Sequence, residues 1–166
     1  MTRLFITGGI KSGKSSYALE RANLLEGGKN FLATAIPFDK EMDTRIIRHR
    51  EERGPEFNTI EEPLDIHLHS KDNLILDCVT VWINNLFYKE KEDDWENILN
   101  SFLQINKGNI IIVSNEVGLG NIPMDPAARK YNEYLAAANK IIAESMEEVV
   151  LMVSGIPLWV KGKFNE

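Results

Sequence analysis

The sequence predicts an α/β fold: a mostly parallel sheet flanked by helices. Three observations carry this. Short apolar runs alternate with helical patterns from one end of the chain to the other. The runs are continuous rather than alternating in polarity, which marks strands covered on both faces. The first run passes straight into a glycine-rich stretch that opens a helix, the setting of a phosphate-binding loop.

The elements follow in order. RLFIT at 3–7 reads as a strand ending in Gly8-Gly9. A helix over 15–26 keeps Ala18, Leu19, Ala22 and Leu25 on one face and stops at Gly27-Gly28. NFLATA at 30–35 is a second strand, and 41–53 is a polar, arginine-rich helix ended by Gly54-Pro55. A short strand at 57–60 and the compact run LILD at 74–77 come next. Helices at 79–88 and 95–105 are separated by the charged stretch 89–94. NIIIVS at 109–114 is the clearest strand, followed by a loop through Gly118, Gly120 and Pro123. Asp125-Pro126 opens a long helix, as N-cap and first helical residue. VVLMVS at 149–154 is the last strand expected, with a short tail at 156–163.

The chain has 166 residues, 43% hydrophobic and 27% charged, which fits one nucleotide-binding domain over 1–166. Its net charge of −6 argues against a nucleic-acid partner. The single cysteine, Cys78, excludes an internal disulfide and any CxxC motif. The opening apolar run is too short for a secretion signal, and no stretch of about 18 apolar residues offers a membrane span. A reduced, cytoplasmic protein is expected.

Gly8-Gly9-Ile10-Lys11-Ser12-Gly13-Lys14-Ser15 fits G-x-x-x-x-G-K-[ST], a pattern met by chance in about one chain of this size in 200. Its backbone amides and the following helix N-terminus suit phosphate oxygens. Lys14 should reach the β- and γ-phosphates and Ser15 should hold Mg²⁺. Such a loop normally has an acidic residue at the end of a neighbouring buried strand, and Asp77, after LILD, is the candidate for this second metal contact; an N-cap role for the next helix fits it as well. The string 106–109 lacks the aspartate of the guanine-reading motif of switch GTPases.

Arg45, Arg48, Arg50 and Arg53 are four of the chain's seven arginines and surround His49 on one predicted helix. Guanidinium forks suit phosphate. An imidazole kept neutral by neighbouring positive charge is a usable nucleophile toward phosphorus. The bland alternative is a solvated helix in which Glu51 and Glu52 pair with the arginines. His67 and His69 would share a face of an extended segment, with no further ligand cluster nearby. Trp159 and Phe164 are expected to pack against the sheet.

Several strings together carry a resemblance. They are 8–15, Ala33-Thr34-Ala35, Asp39-Lys40-Glu41-Met42 with Arg45-Ile46-x-x-His49-Arg50, and Glu61-Glu62-Pro63-Leu64-Asp65. They continue with Asp77-Cys78-Val79-Thr80-Val81-Trp82, Asn84-Asn85-Leu86, Ser114-Asn115-Glu116-Val117-Gly118, Ile122-Pro123-Met124-Asp125-Pro126 and Val153-Ser154-Gly155-Ile156-Pro157-Leu158. In this order they are similar to the bifunctional adenosylcobinamide kinase/adenosylcobinamide-phosphate guanylyltransferase family of cobalamin biosynthesis.

The resemblance implies a RecA-like P-loop fold and a homo-oligomer, a trimer. It implies phosphorylation of adenosylcobinamide by a nucleoside triphosphate, ATP or GTP. GMP transfer from GTP through an enzyme histidine would follow, giving adenosylcobinamide-GDP and pyrophosphate. The nucleophile maps onto His49. Nucleotide contacts map onto Gly8 to Ser15, onto Ala33, Thr34 and Ala35, and onto Arg50, Glu51, Glu52 and Arg53. Asp77 and one of Glu61 and Glu62 complete them. Two other functions stay open: guanylyl transfer alone, and a regulatory P-loop NTPase without histidine chemistry.

Overall fold

The computed structural model describes residues 1–37, 40–119 and 122–162; the side chains of Glu41, Met42, Arg45, His49 and Glu52 lie outside that description. The first half supplies β1 (Arg3–Gly8), α1 (Lys14–Asn23), β2 (Lys29–Ala33), α2 (Lys40–Arg53), β3 (Phe57–Glu61) and β4 (Leu74–Asp77). The second supplies α3 (Val79–Tyr88), α4 (Trp95–Ile105), β5 (Ile110–Val113), α5 (Pro126–Ser145), β6 (Glu148–Val153) and β7 (Ile156–Lys161).

These strands form one sheet in the order β3-β2-β4-β5-β1-β6-β7. All neighbouring pairs are parallel except β6 and β7. The α/β, mostly parallel architecture predicted from the apolar runs is therefore the one formed.

Alternate residues of each strand feed two cores. Phe5, Leu32, Leu76 and Ile112 face α3, α4 and α5, where Trp82, Ile83, Leu86, Leu99 and Phe102 are fully buried. Leu4, Ile6, Phe31, Ile75 and Val113 face the other way, onto Tyr17, Ala18 and Ala22 of α1. Period-two alternation of side chains in continuous apolar strands makes both faces possible.

Local signals explain the element ends. The Asp125 carboxylate accepts from the Ala128 amide at 2.7 Å, capping α5 with Pro126 in its first turn. Helix α1 stops at Asn23, short of the expected 26, because the Leu24 and Leu25 amides turn back onto the Arg21 and Ala22 carbonyls.

Three details depart from expectation. The stretch read as a tail after 156 is β7, an antiparallel strand beside β6. Pro157 obscures it in sequence, yet an edge strand tolerates a residue without an amide hydrogen. Its inward residue Trp159 packs on the α1-side core, with the Arg21 guanidinium 5.3 Å from its ring; the matching expectation for Phe164 lies outside the described residues. His67 lies within a 3-10 turn at Ile66–Leu68 and His69 follows directly after it, rather than both lying in an extended segment. Finally, the strand bearing Asp77 is not beside β1; β5 lies between them.

Candidate active site at the carboxyl ends of the strands

The phosphate loop joins β1 to α1. Gly8 has φ of +151°, and a Cβ there would lie 2.5 Å from the Met152 carbonyl oxygen, so only glycine fits. Gly13 enters α1 in the left-handed region, at φ of +90°. The loop is tied within itself by the Ser12 amide to the Gly9 carbonyl. Lys14 is 8% exposed and its ammonium donates to the Gly9 carbonyl at 2.6 Å. A buried cation held by the loop's own backbone is positioned for an anion in the loop. The Ser12 hydroxyl is buried without a partner in the same loop.

Beside the loop lies a cleft of about 490 Å³. Lys14 and Ser15 line it from the loop, Ala33 and Ala35 from the end of β2, and Asp77 from the end of β4. Helix α2 contributes Arg48 and Arg53. Thr34 stands between the two alanines but points into the protein. Its hydroxyl donates to the Cys78 carbonyl at 2.9 Å and accepts from the Cys78 amide at 3.0 Å. It thereby clamps β2 to the turn that presents Asp77.

Arg53 is 6% exposed, with its guanidinium 4.0 Å from the centre of the Phe31 ring. Burial lowers its pKa; the nearby Asp77 carboxylate opposes that, Arg50 adds to it and Glu61 opposes it. A guanidinium stays charged in proteins regardless. Arg50 is exposed and pairs with Glu61. Glu51 is exposed as well. The side chains of His49 and Glu52 lie outside the described residues, although both positions fall within α2.

The adjacent acids separate into two roles. Glu62 accepts from the Leu64 and Asp65 amides at 3.0 and 2.9 Å, and its other oxygen lies 3.4 Å from His69 Nε2. Burial pushes its pKa up, but these donors outweigh burial and leave it below the ordinary carboxylate value. Glu62 is occupied in holding the Pro63–Asp65 turn, whereas Glu61 faces α2 through Arg50. Burial, reinforced by Asp77, pushes the Cys78 thiol up to about 12, so it is neutral and unreactive.

The structure thus brings the phosphate loop, Ala33, Ala35, Arg53 and Asp77 to one cleft. It also brings Phe31 and Asn115, which sequence reasoning gave no role. Phe31 was hidden because a buried aromatic in a strand reads as core; its place under Arg53 needs the tertiary structure.

A strand, a glycine loop enclosing a lysine, a helix and a carboxylate at a nearby strand end define a P-loop nucleotide-binding α/β protein. Comparison with known proteins narrows the class. The chain belongs to the cobinamide kinase / cobinamide phosphate guanyltransferase family, CobU, whose profile matches residues 4–160. It is similar to the bifunctional adenosylcobalamin biosynthesis protein CobP of Pseudomonas aeruginosa, 35% identical over 97% of this chain and 98% of the relative. It is also similar to the bifunctional adenosylcobalamin biosynthesis protein CobU of Escherichia coli, at 31% over 95% of this chain and 99% of the relative. The Salmonella typhimurium protein of the same name is 29% identical over 95% and 99% of the two chains. Among the described residues, no helix is long and apolar enough to cross a membrane.

Proposed function

We propose that this protein phosphorylates adenosylcobinamide with a nucleoside triphosphate and then joins GMP from GTP to adenosylcobinamide phosphate, through a guanylyl group carried on His49. One observation supports this above the rest: the buried Lys14 of the phosphate loop and Arg48 and Arg53 of α2 converge on a single cleft. One set of fixed positive charges there can serve two phosphorus chemistries.

In the first reaction the side-arm hydroxyl oxygen attacks the γ-phosphorus. The bond from that phosphorus to the β-bridging oxygen breaks, a nucleoside diphosphate leaves, and the hydroxyl proton passes to solvent. In the second, a ring nitrogen of His49 attacks the α-phosphorus of GTP and pyrophosphate leaves. A phosphate oxygen of the phosphorylated corrinoid then attacks the same phosphorus, the P–N bond breaks, and His49 is regenerated. The covalent step divides one transfer into two easier ones.

The cleft residues work by orientation and charge. Lys14 meets the β- and γ-phosphates, and Arg53, held over the Phe31 ring, is preorganised toward phosphate oxygens. Ser15 and Asp77 offer the hydroxyl and carboxylate oxygens that suit Mg²⁺, which would take its other ligands from phosphates and water. When bound, Mg²⁺ neutralises charge on the phosphates. Glu61, linked to α2 through Arg50, is the better-placed of the two glutamates for nucleotide. The working form on this reading is a cytoplasmic trimer, checked by sedimentation equilibrium.

The test uses GTP labelled at the α-phosphate. Acid-labile label should stay on denatured wild-type protein and be missing from His49→Ala. No label on wild type would favour a regulatory NTPase. Transfer of γ-label to adenosylcobinamide, retained in His49→Ala, separates the bifunctional enzyme from guanylyl transfer alone.

A further inference from the structure

We propose that Asn115 is a catalytic residue of the phosphorylation step, its carboxamide donating a hydrogen bond to the γ-phosphoryl group of the bound triphosphate. This rests on the kinase reading above.

The first argument is position. Strand pairing continues beyond Val113: the Ser114 amide donates to the Ile6 carbonyl and the Glu116 amide to the Gly8 carbonyl, both at 3.0 Å. The segment therefore runs beside β1 as far as the first glycine of the phosphate loop. Side chains alternate along it. Ile111 and Val113 face α1, while Ser114 faces away, its hydroxyl 3.5 Å from that of Thr80. Two residues past Val113, Asn115 returns to the α1 side and lines the cleft with Lys14 and Asp77.

The second is its place between the two groups that handle the terminal phosphates. Val113 pairs with Ile6 on one side and with Asp77 on the other. Asn115 stands about 7 Å beyond the end of that strand along the same extended course, at the level of the loop. Arg48 and Arg53 reach the cleft from α2, which connects β2 to β3 on the far flank of the sheet. Asn115 is thus on the loop side, where Lys14 meets the β- and γ-phosphates.

The third is that its backbone is fixed while its side chain is unengaged. The Asn115 amide donates to the Thr80 hydroxyl at 2.7 Å, and its carbonyl accepts from the Asn139 side chain at 3.0 Å. Thr80 is in turn held through its carbonyl by the Tyr131 hydroxyl at 3.0 Å. Helices α3 and α5 thereby lock this one residue. Among the described residues, its carboxamide makes no hydrogen bond, leaving two N–H donors at the cleft. A donor held in place before substrate arrives is what stabilises charge shifting in a transferring phosphoryl group.

Two variants test this. Asn115→Ala removes the donor, and Asn115→Asp keeps the shape while replacing the donor by a charge. Affinity for a β,γ-imido triphosphate and for the matching diphosphate is measured by calorimetry. Both variants should weaken triphosphate binding about tenfold or more, as loss of a charge-assisted hydrogen bond does, and change diphosphate binding less than about threefold. Single-turnover γ-transfer to adenosylcobinamide should fall about 100-fold. Unchanged triphosphate-to-diphosphate discrimination in both variants overturns the proposal, as does a wild-type rate of γ-transfer. If wild type binds with this discrimination but never phosphorylates adenosylcobinamide, the kinase reading fails, while the affinity ratio still decides the role of Asn115.

Discussion

The face of the sheet under α3, α4 and α5 buries Trp82, Ile83, Leu86, Leu99 and Phe102 completely. The opposite face has a thinner apolar layer under α1, and at or beyond the strand ends lie Lys14, Arg53 and Asp77. Both faces are fed by the same strands, one residue apart. The polar groups of the thick face are spent on fixing backbone: Trp82 Nε1 donates to the Leu64 carbonyl at 2.8 Å, and Asn85 bonds the Thr34 and Pro63 carbonyls. The thin face keeps charge at an open cleft. One side of the sheet holds strand ends still so that the other can present charge at fixed positions.

Mutations should split along that division. Trp82→Ala leaves a large cavity and an unpaired carbonyl, and should cost about 3–5 kcal/mol in denaturant unfolding. Comparable stability of the variant would mean that the thick face does not carry the fold. Lys14→Ala should lower both transfer rates about 10²–10³-fold while changing stability by less than about 1 kcal/mol. A large drop in melting temperature there would blur the two faces into one.

A smaller effect concerns Glu62, whose pKa is held below its ordinary value of 4.5. A depressed carboxylate stabilises the fold above its unfolded pKa, and that share is lost as pH falls through the folded pKa. Glu62→Gln should therefore cost about 1–2 kcal/mol at pH 7. The gap from wild type should narrow as pH falls below about 4.5; a gap that stays constant through that fall would contradict the assignment. The smallest change is expected for Asp125→Ala, about 1 kcal/mol from loss of the α5 cap, with γ-transfer unaltered.

Much of this division could be read from the chain before its structure. The continuous runs at 3–7, 74–77 and 109–114 gave strands buried on both faces, and glycine spacing gave the loop between β1 and α1. Strand order could not be read, because runs such as LILD and NIIIVS are equally apolar and either could neighbour β1. Strand β7 was hidden by Pro157 and by one-sided exposure: Ile156, Leu158 and Val160 face outward while Trp159 packs inward. Glu61 and Glu62 were indistinguishable as adjacent acids; only the Leu64 and Asp65 amides separate them. Asn115 carried a signal, its even spacing from Ile111 and Val113, but a face has meaning only once another element lies against it.

The loop's closure against the β6–β7 turn bears on the order of assembly. The Gly155 amide donates to the Ser12 carbonyl at 3.1 Å, and a Cβ on Gly13 would sit 3.5 Å from the Gly155 Cα. These residues are about 140 positions apart, and among the described residues β1 pairs only with β5 and β6. During synthesis from the amino end, the phosphate loop is made before the strands that will flank β1. Its strand stays unpaired until β5 has emerged, and the Gly155 amide that donates to its Ser12 carbonyl arrives only with the β6–β7 hairpin. The nucleotide pocket is therefore one of the last features to form, and nucleotide binding reports completion of the sheet rather than folding of its first third.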